Sequence, residues 1–142
     1  MQFKKITFSA AEQEELRLLL EKQEGIPIQC RQEMSGVWYH SEDWETELRI
    51  LFLANLRVTV SRVCFIRKRV GTMTQVEEFL ERFCRRHGIP EVLVQSVETT
   101  EMAAWCIKNG FTVSPVTSIE LDGVKFGDYM KMITVCSDAT AQ

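Results

Sequence analysis

The segment that most restricts how this chain can fold runs from Val58 to Val97. Apolar and β-branched residues from Val58 to Ile66 read as a strand. That run breaks at Arg67-Lys68-Arg69-Val70-Gly71-Thr72-Met73-Thr74. Val76, Phe79, Leu80, Phe83 and Cys84 then recur at the spacing of one helix face. Gly88 and Pro90 stop that helix, and Val92 to Val97 is a second continuous strand. Strand, helix and strand in this order imply a parallel pair.

The turn between the first strand and the helix has the makings of an anion site. The first N–H groups of a helix have no intrahelical partners, and the helix dipole leaves partial positive charge there. Arg67, Lys68 and Arg69 stand directly before that end. Gly71 permits close approach or a backbone angle that other residues resist. Phosphate binding would use the backbone amides of Val70, Gly71, Thr72, Met73 and Thr74. The plain alternative is a solvated basic loop that ends a strand. Thr72 with Gln75, or Thr74 with Glu77, can cap the helix.

Outside this unit, Phe3 to Phe8 alternates weakly, as an opening strand would. Ser9 and Glu12 form a capping box for a helix carrying Leu16, Leu19 and Leu20, ending near Gly25 and Pro27. Ile28 to Trp44 is the least legible stretch: Val37 to His40 suits a short strand, and Ser41 to Glu45 a turn. Leu48 to Leu53 precedes the Arg57–Ile66 strand across an Ala54-Asn55 turn. After Val97, Thr99 or Thr100 caps a short helix with Met102, Ala103, Cys106 and Ile107 on one face, ended by Gly110. Thr112 to Leu121 and Lys125 to Val135 read as two strands around Asp122-Gly123, a strong hairpin signal. The tail, Ser137 to Gln142, is small and polar and is expected to fray.

Composition narrows the function classes. The net charge of −3 gives no global attraction to nucleic acid or acidic membranes, so any anion binding is local. No apolar run approaches the roughly 20 residues that span a bilayer. The N-terminus lacks a signal peptide's apolar segment, which points to the cytoplasm. Cys30, Cys64, Cys84, Cys106 and Cys136 are odd in number and mostly sit in apolar patterns, as reduced core thiols do. His40 and His87 have no Cys or His at ligand spacing, so no metal site is expected.

This order of elements, with its motifs, resembles the GNAT superfamily of acetyl-CoA-dependent N-acetyltransferases. In that family a central strand enters a turn of pattern [Q/R]-x-x-G-x-[G/A] that cradles the coenzyme A pyrophosphate. Here Lys68 stands at the Gln/Arg position, Gly71 matches the first Gly, and Met73 replaces the usual Gly or Ala. A second family segment, N-x-x-A-x-x-L-Y-x-x-x-G-F, aligns with Thr99 to Phe111. Thr99 replaces the Asn, and Cys106 replaces the Tyr that protonates the leaving thiolate in many members. The resemblance covers most of Leu48 to Val135, and the N-terminal third matches only in element order.

The resemblance implies an α/β (α+β) fold: a central mixed β-sheet flanked by helices, in a single domain over residues 1–142. It implies acetyl-CoA as cosubstrate, no metal, and an amine acceptor of unknown identity. Strand-end residues Phe65, Ile66 and Arg67 would pair with pantetheine amides, with Val97 and Glu98 across the gap. Glu98 is the leading base candidate, with a solvent-facing carboxylate as its plain reading; Glu45 and Glu47 are weaker candidates. Cys106 is either the acid or a small core residue. Trp38, Tyr39, Trp44 and Trp105 are core or acceptor-pocket residues, and Asp128 and Tyr129 are structural. An exposed last strand would offer a homodimer edge.

Two function classes stay open: an acyl-CoA-dependent N-acyltransferase acting by direct attack, and a catalytically degenerate CoA-binding or regulatory module. Nucleic-acid binding through Arg62 to Arg69 and Arg82 to Arg86 is weaker, because net charge is negative and aromatic residues are not interleaved.

Overall fold

In the computed structural model, which describes residues 5–134, one eight-stranded sheet is flanked by helices. Chain order is α1 (Ala10–Glu24), β1 (Gln29–Gln32), β2 (Gly36–His40), β3 (Glu47–Leu53), β4 (Arg57–Cys64), α2 (Thr72–His87), β5 (Glu91–Val97), α3 (Thr100–Lys108), β6 (Thr112–Val113), β7 (Ile119–Leu121) and β8 (Val124–Met132). The sheet order is β1-β2-β3-β4-β5-β8-β6, with β7 also paired to β8. Only β4 and β5 run parallel, as the strand–helix–strand pattern requires.

Local signals explain most boundaries. Ser9 accepts the Glu12 N–H at 3.1 Å and Glu12 returns the bond at 2.7 Å, so the capping box forms as read. Asp122 and Gly123 both take positive φ, 52° and 79°, as a two-residue hairpin turn demands. In α2 the apolar stripe Val76, Phe79, Leu80, Phe83 and Cys84 is buried against α1 and the sheet. One sheet face supplies Val37, Tyr39, Leu48, Ile50, Phe52, Val58 and Val60 to that core.

Several expectations are corrected. Lys5 to Phe8 is not a strand; Phe8 instead plugs the core, its ring edge-on to Phe52, Phe79 and Phe83 at 4.9, 5.4 and 4.8 Å. Phe3 lies outside the described residues, as do Cys136 and the tail. Thr112 to Leu121 is broken into two short strands around Pro115, which has no N–H for a ladder. Neither Thr72 nor Thr74 caps α2; Gly71 does, without a side chain. The last strand is no free edge: β8 lies between β5 on one side and β6 and β7 on the other. Cys64 is exposed rather than a core thiol.

Candidate functional site

The basic turn divides into a tied half and an open half. In the tied half, Phe65 is buried, and the N–H groups of Ile66 and Arg67 donate to the Glu24 carboxylate at 2.7 and 3.1 Å. Glu24 is 1% exposed and also accepts from the Thr46 hydroxyl at 2.6 Å. The Arg67 guanidinium donates to the Gln23 carbonyl at 3.3 Å. Ile66 and Arg67 therefore spend their backbone donors inside the protein. β4 ends at Cys64 because the backbone beyond it is bonded to α1.

The open half starts at Lys68. Lys68, Arg69, Val70 and Gly71 are exposed, and neither cation makes an ion pair among the described residues. Gly71 takes φ +81°, a left-handed angle that suits glycine, and a Cβ there would meet nothing within 4 Å. The α2 N-terminus has no side-chain cap and no acidic residue in its first turn. The N–H groups of Thr72, Met73 and Thr74 have no intrahelical partner at this helix start, where the Gln23 amide donates to the Val70 carbonyl and the Thr72 hydroxyl at 3.0 and 3.3 Å. The Met73 side chain is buried, so its bulk lies in the core rather than on the turn's outer surface. Thr72 is buried too, and the Thr74 hydroxyl accepts the Trp105 indole N–H at 3.0 Å.

Between the strands lies a cleft. β4 and β5 pair only from Val58↔Val92 to Val60↔Val94. Beyond that level both strands are irregular. Ser61 is the extra residue where the β3–β4 register slips, and β5 slips against β8 between Val94 and Val97. Ser96 sits at φ +56° with its N–H held by Asp128 Oδ1 at 2.8 Å. The strands splay and leave a space of about 430 Å3 lined by Ser61 to Cys64, Val94 to Thr99, and Met102. Thr99 caps α3 at its rim, accepting the Met102 N–H at 3.1 Å.

The candidate residues are sorted by this geometry. Glu98 is exposed and lines the cleft. The free strand edges belong to Arg62, Val63 and Cys64, one turn earlier than Phe65 to Arg67. Cys106 is fully buried, is not among the cleft's lining residues, and burial pushes its thiol up to about 12. It is a core residue. The thiol in the cleft is Cys64.

No family model matches this sequence, and no curated protein sequence does. Solved structures do resemble it. The ribosomal-protein-S18-alanine N-acetyltransferase from Escherichia coli aligns with a TM-score of 0.54 at 10% identity, over 92% of this chain and 94% of that one. The IAA acetyltransferase from Bacillus cereus aligns at 0.50 and 11%, over 69% and 78%. Nourseothricin acetyltransferase aligns at 0.51 and 12%, over 70% of this chain and 65% of its own length.

The chain has the GNAT fold.

On the GNAT frame, the N-terminal third, β1 to β3, supplies an open sheet face beside the cleft. Register places Arg31 opposite Trp38, Trp38 opposite Arg49, and Arg49 opposite Arg62, a row across four strands. A second row runs Gln29, His40, Glu47, Cys64. Trp38, Trp44, Glu47, Arg49, Leu51, Ser61, Arg62 and Gln95 line an open depression of about 500 Å3 there. Ser61, Arg62 and Gln95 line both spaces, so the pocket opens into the cleft. Trp44, at φ +62°, stacks on His40 at 3.6 Å and meets Trp38 edge-on at 5.5 Å.

Glu47 is buried and accepts Arg62 Nε at 2.7 Å. Glu45 is exposed on the preceding turn, outside the pocket lining. Tyr39 and Tyr129 are core residues, and Trp105 packs against Phe111 at 5.6 Å. The Arg82, Arg85 and Arg86 run is paired with Glu15, Glu81 and Glu12, which leaves no bare basic stripe there. Among the described residues no group of three or more His, Cys, Asp and Glu is placed to hold a metal, and no helix is long and apolar enough to cross a membrane.

Proposed function

We propose that this chain is an acyl-CoA-dependent N-acyltransferase that moves an acetyl group from acetyl-CoA to an amine by direct attack. The observation that carries the reading is a cleft where β4 and β5 part, which shares Ser61, Arg62 and Gln95 with a side-chain-lined pocket, on a strand that leads to an α2 N-terminus without a side-chain cap. Acetyl-CoA would supply the activated acyl group. The amides of Val70 to Thr74, with Lys68 and Arg69, would hold its pyrophosphate. The free backbone edges of Arg62 to Cys64 and Gln95 to Val97 would pair with the pantetheine amides, and Thr99 would close the rim.

The chain's remaining task is proton handling. Glu47, in the pocket lining, and Glu98, in the cleft lining, are the candidates to take the amine's proton. Preorganised backbone dipoles at the two bulges would face the charge that develops at the thioester. A cytoplasmic setting belongs to the same reading, since the described cysteines are free.

A second reading has one observation of its own. With Cys106 in the core, no tyrosine and no helix thiol among the described residues lines the cleft, and a CoA-binding module that no longer catalyses would show the same gap. Isothermal titration with acetyl-CoA and a thiol-release assay over an amine panel separate the two. Binding with turnover supports the transferase, and binding without turnover supports the module. No binding at millimolar acetyl-CoA overturns both.

A further inference from the structure

The open sheet face has more hydrogen-bond donors than partners. Arg49 spends Nε and Nη2 on one oxygen of Glu33, at 3.1 and 3.0 Å, which leaves Nη1. Arg62 spends only Nε on Glu47, and its two terminal nitrogens stay free. Arg31 makes no hydrogen bond or ion pair among the described residues. Its guanidinium lies over Trp44 and Trp38, at 5.6 and 6.0 Å. Three arginines thus meet two carboxylates, a local positive balance in a chain of net charge −3. Trp38 Nε1 and Ser61 Oγ, on two residues that line the pocket, are buried without a protein partner. A group that fills this set must be rich in acceptors and negatively charged.

The charge reverses toward the cleft. Glu47 stands on the next cross-strand row, opposite Cys64, and Glu98 lies at the cleft rim. A protonated amine would share Glu47 with Arg62 there, with Glu98 as a further carboxylate, beside the place proposed for the thioester. Neighbouring strands lie about 4.8 Å apart, so Arg62 and Arg49 are within a short carbon chain of that point. The open depression of about 500 Å3 has room for a small molecule.

We propose that the acceptor is a small amine that also carries a carboxylate, an amino acid or a close relative, with its carboxylate on Arg49 and Arg62 and its amine toward Glu47. This rests on the acyltransferase reading. The row also gives Trp38 a role: the Arg49 guanidinium lies 4.7 Å from its ring centre, a cation–π contact that helps hold the guanidinium at the pocket.

Tryptophan fluorescence tests the pocket without the donor, because Trp38 and Trp44 line it. The probes are free amino acids paired with their carboxyl amides and with the matching decarboxylated amines. The expected result is a saturable change with some of the amino acids, weakened about tenfold or more in the amides and amines. Arg49→Gln should weaken binding of the best amino acid by a similar factor and leave acetyl-CoA affinity unchanged. Arg31→Gln, at an exposed sheet edge, guards against a folding artefact and should weaken it less. Equal binding of amide and acid, preference for diamines, or no response to any amino acid at millimolar concentration overturns the proposal. Acetyl-CoA titration reads the donor side separately: normal acetyl-CoA binding with a silent pocket sinks only the acceptor inference. A responsive pocket without acetyl-CoA binding sinks the transferase and keeps the amino-acid site.

Discussion

The proposed donor side and acceptor side use different materials. The donor side is backbone: amides at a bare helix start and two strand edges freed by bulges. The acceptor side is side chain: arginines, tryptophans and carboxylates in cross-strand rows, most of them already paired. Backbone donors need only the right conformation, so the exposed side chain of Val70 can vary if φ at Gly71 is kept. Side-chain donors fix chemistry, so a single change at Arg49 or Arg62 redefines what fits. The division predicts that the two sides respond to different mutations.

One residue joins them, and its loss should have the largest effect. Glu24 holds Thr46, on the turn that carries Trp44, and holds Ile66 and Arg67, on the way to the phosphate turn. Glu24→Ala would leave the buried Thr46 hydroxyl and the part-buried N–H groups of Ile66 and Arg67 without their acceptor, at a cost of about 3 kcal/mol. Urea denaturation should show that loss, and both acetyl-CoA and acceptor binding should weaken. Glu24→Gln keeps one acceptor oxygen and should lose less. Unchanged stability in Glu24→Ala would mean that the two sides are not joined there.

Gly71 should separate the sides. Gly71→Asp forces a side chain onto a left-handed position and sets negative charge before the bare amides. Acetyl-CoA affinity should fall about a hundredfold in calorimetry, roughly two charge-assisted hydrogen bonds lost. The tryptophan response to the acceptor should not change. Gly71→Ala adds only backbone strain, of order 1 kcal/mol, because its Cβ meets open space. Retained affinity in Gly71→Asp would show that this turn does not carry the phosphates.

The same division explains what could be read in advance. The capping box at Ser9, the Asp122-Gly123 turn and the α2 stripe are encoded by residues close in sequence, and each formed where expected. The turn at Gly71 was legible for the same reason. The row from Arg31 to Arg62 was not, because it exists only once the registers of four strands are set, and a slip of one residue would send each side chain to the other face. Glu24 gave no signal at all: a carboxylate in the last turn of a helix reads as solvated, yet here it is among the most buried side chains. Of the two readings of Cys106, burial fits the core one. Its helix is as expected, but the motif aligned it with a cleft-facing position, and the face that carries it turns into the core.

A smaller effect tests the far side of α2. Glu77 is buried beside Glu81, and both meet Lys131 on β8, at 3.3 and 2.6 Å. Burial first, then Glu81, pushes Glu77 up to about 8. Burial works against Glu81 as well, but hydrogen bonds from Glu77 and Lys131 outweigh it and hold that carboxyl near 2. The signs are opposite. Glu81 stabilises the fold above its ordinary range, and that gain is lost as pH falls toward 2. Glu77 favours the fold while protonated, so its contribution is lost as pH rises from about 4.5 to about 8. Glu77→Gln removes that loss and should be more stable than the parent at pH 8 by a few kcal/mol, because each pH unit in that window is worth about 1.4 kcal/mol, with little difference at pH 5. Acetyl-CoA binding should not change. A parent whose stability is flat from pH 5 to 8 would show that Glu77 ionises freely.

Thiol labelling gives the smallest effect and the finest distinction. Alkylation needs an exposed thiolate. Cys64 is exposed in the cleft, whereas Cys84 and Cys106 are buried and burial pushes both up to about 12. Iodoacetamide followed by peptide mapping should modify Cys64 first and reach Cys84 and Cys106 only after denaturation. If the pantetheine arm lies along Arg62 to Cys64, acetyl-CoA at ten times its Kd should slow Cys64 labelling about tenfold, because only the unliganded fraction reacts. Labelling of Cys106 at the rate of Cys64 would return it to the cleft and revive it as the acid. Cys64 labelling that ignores acetyl-CoA, in a protein that calorimetry shows to bind it, would move the donor off this strand edge while leaving the phosphate turn in place.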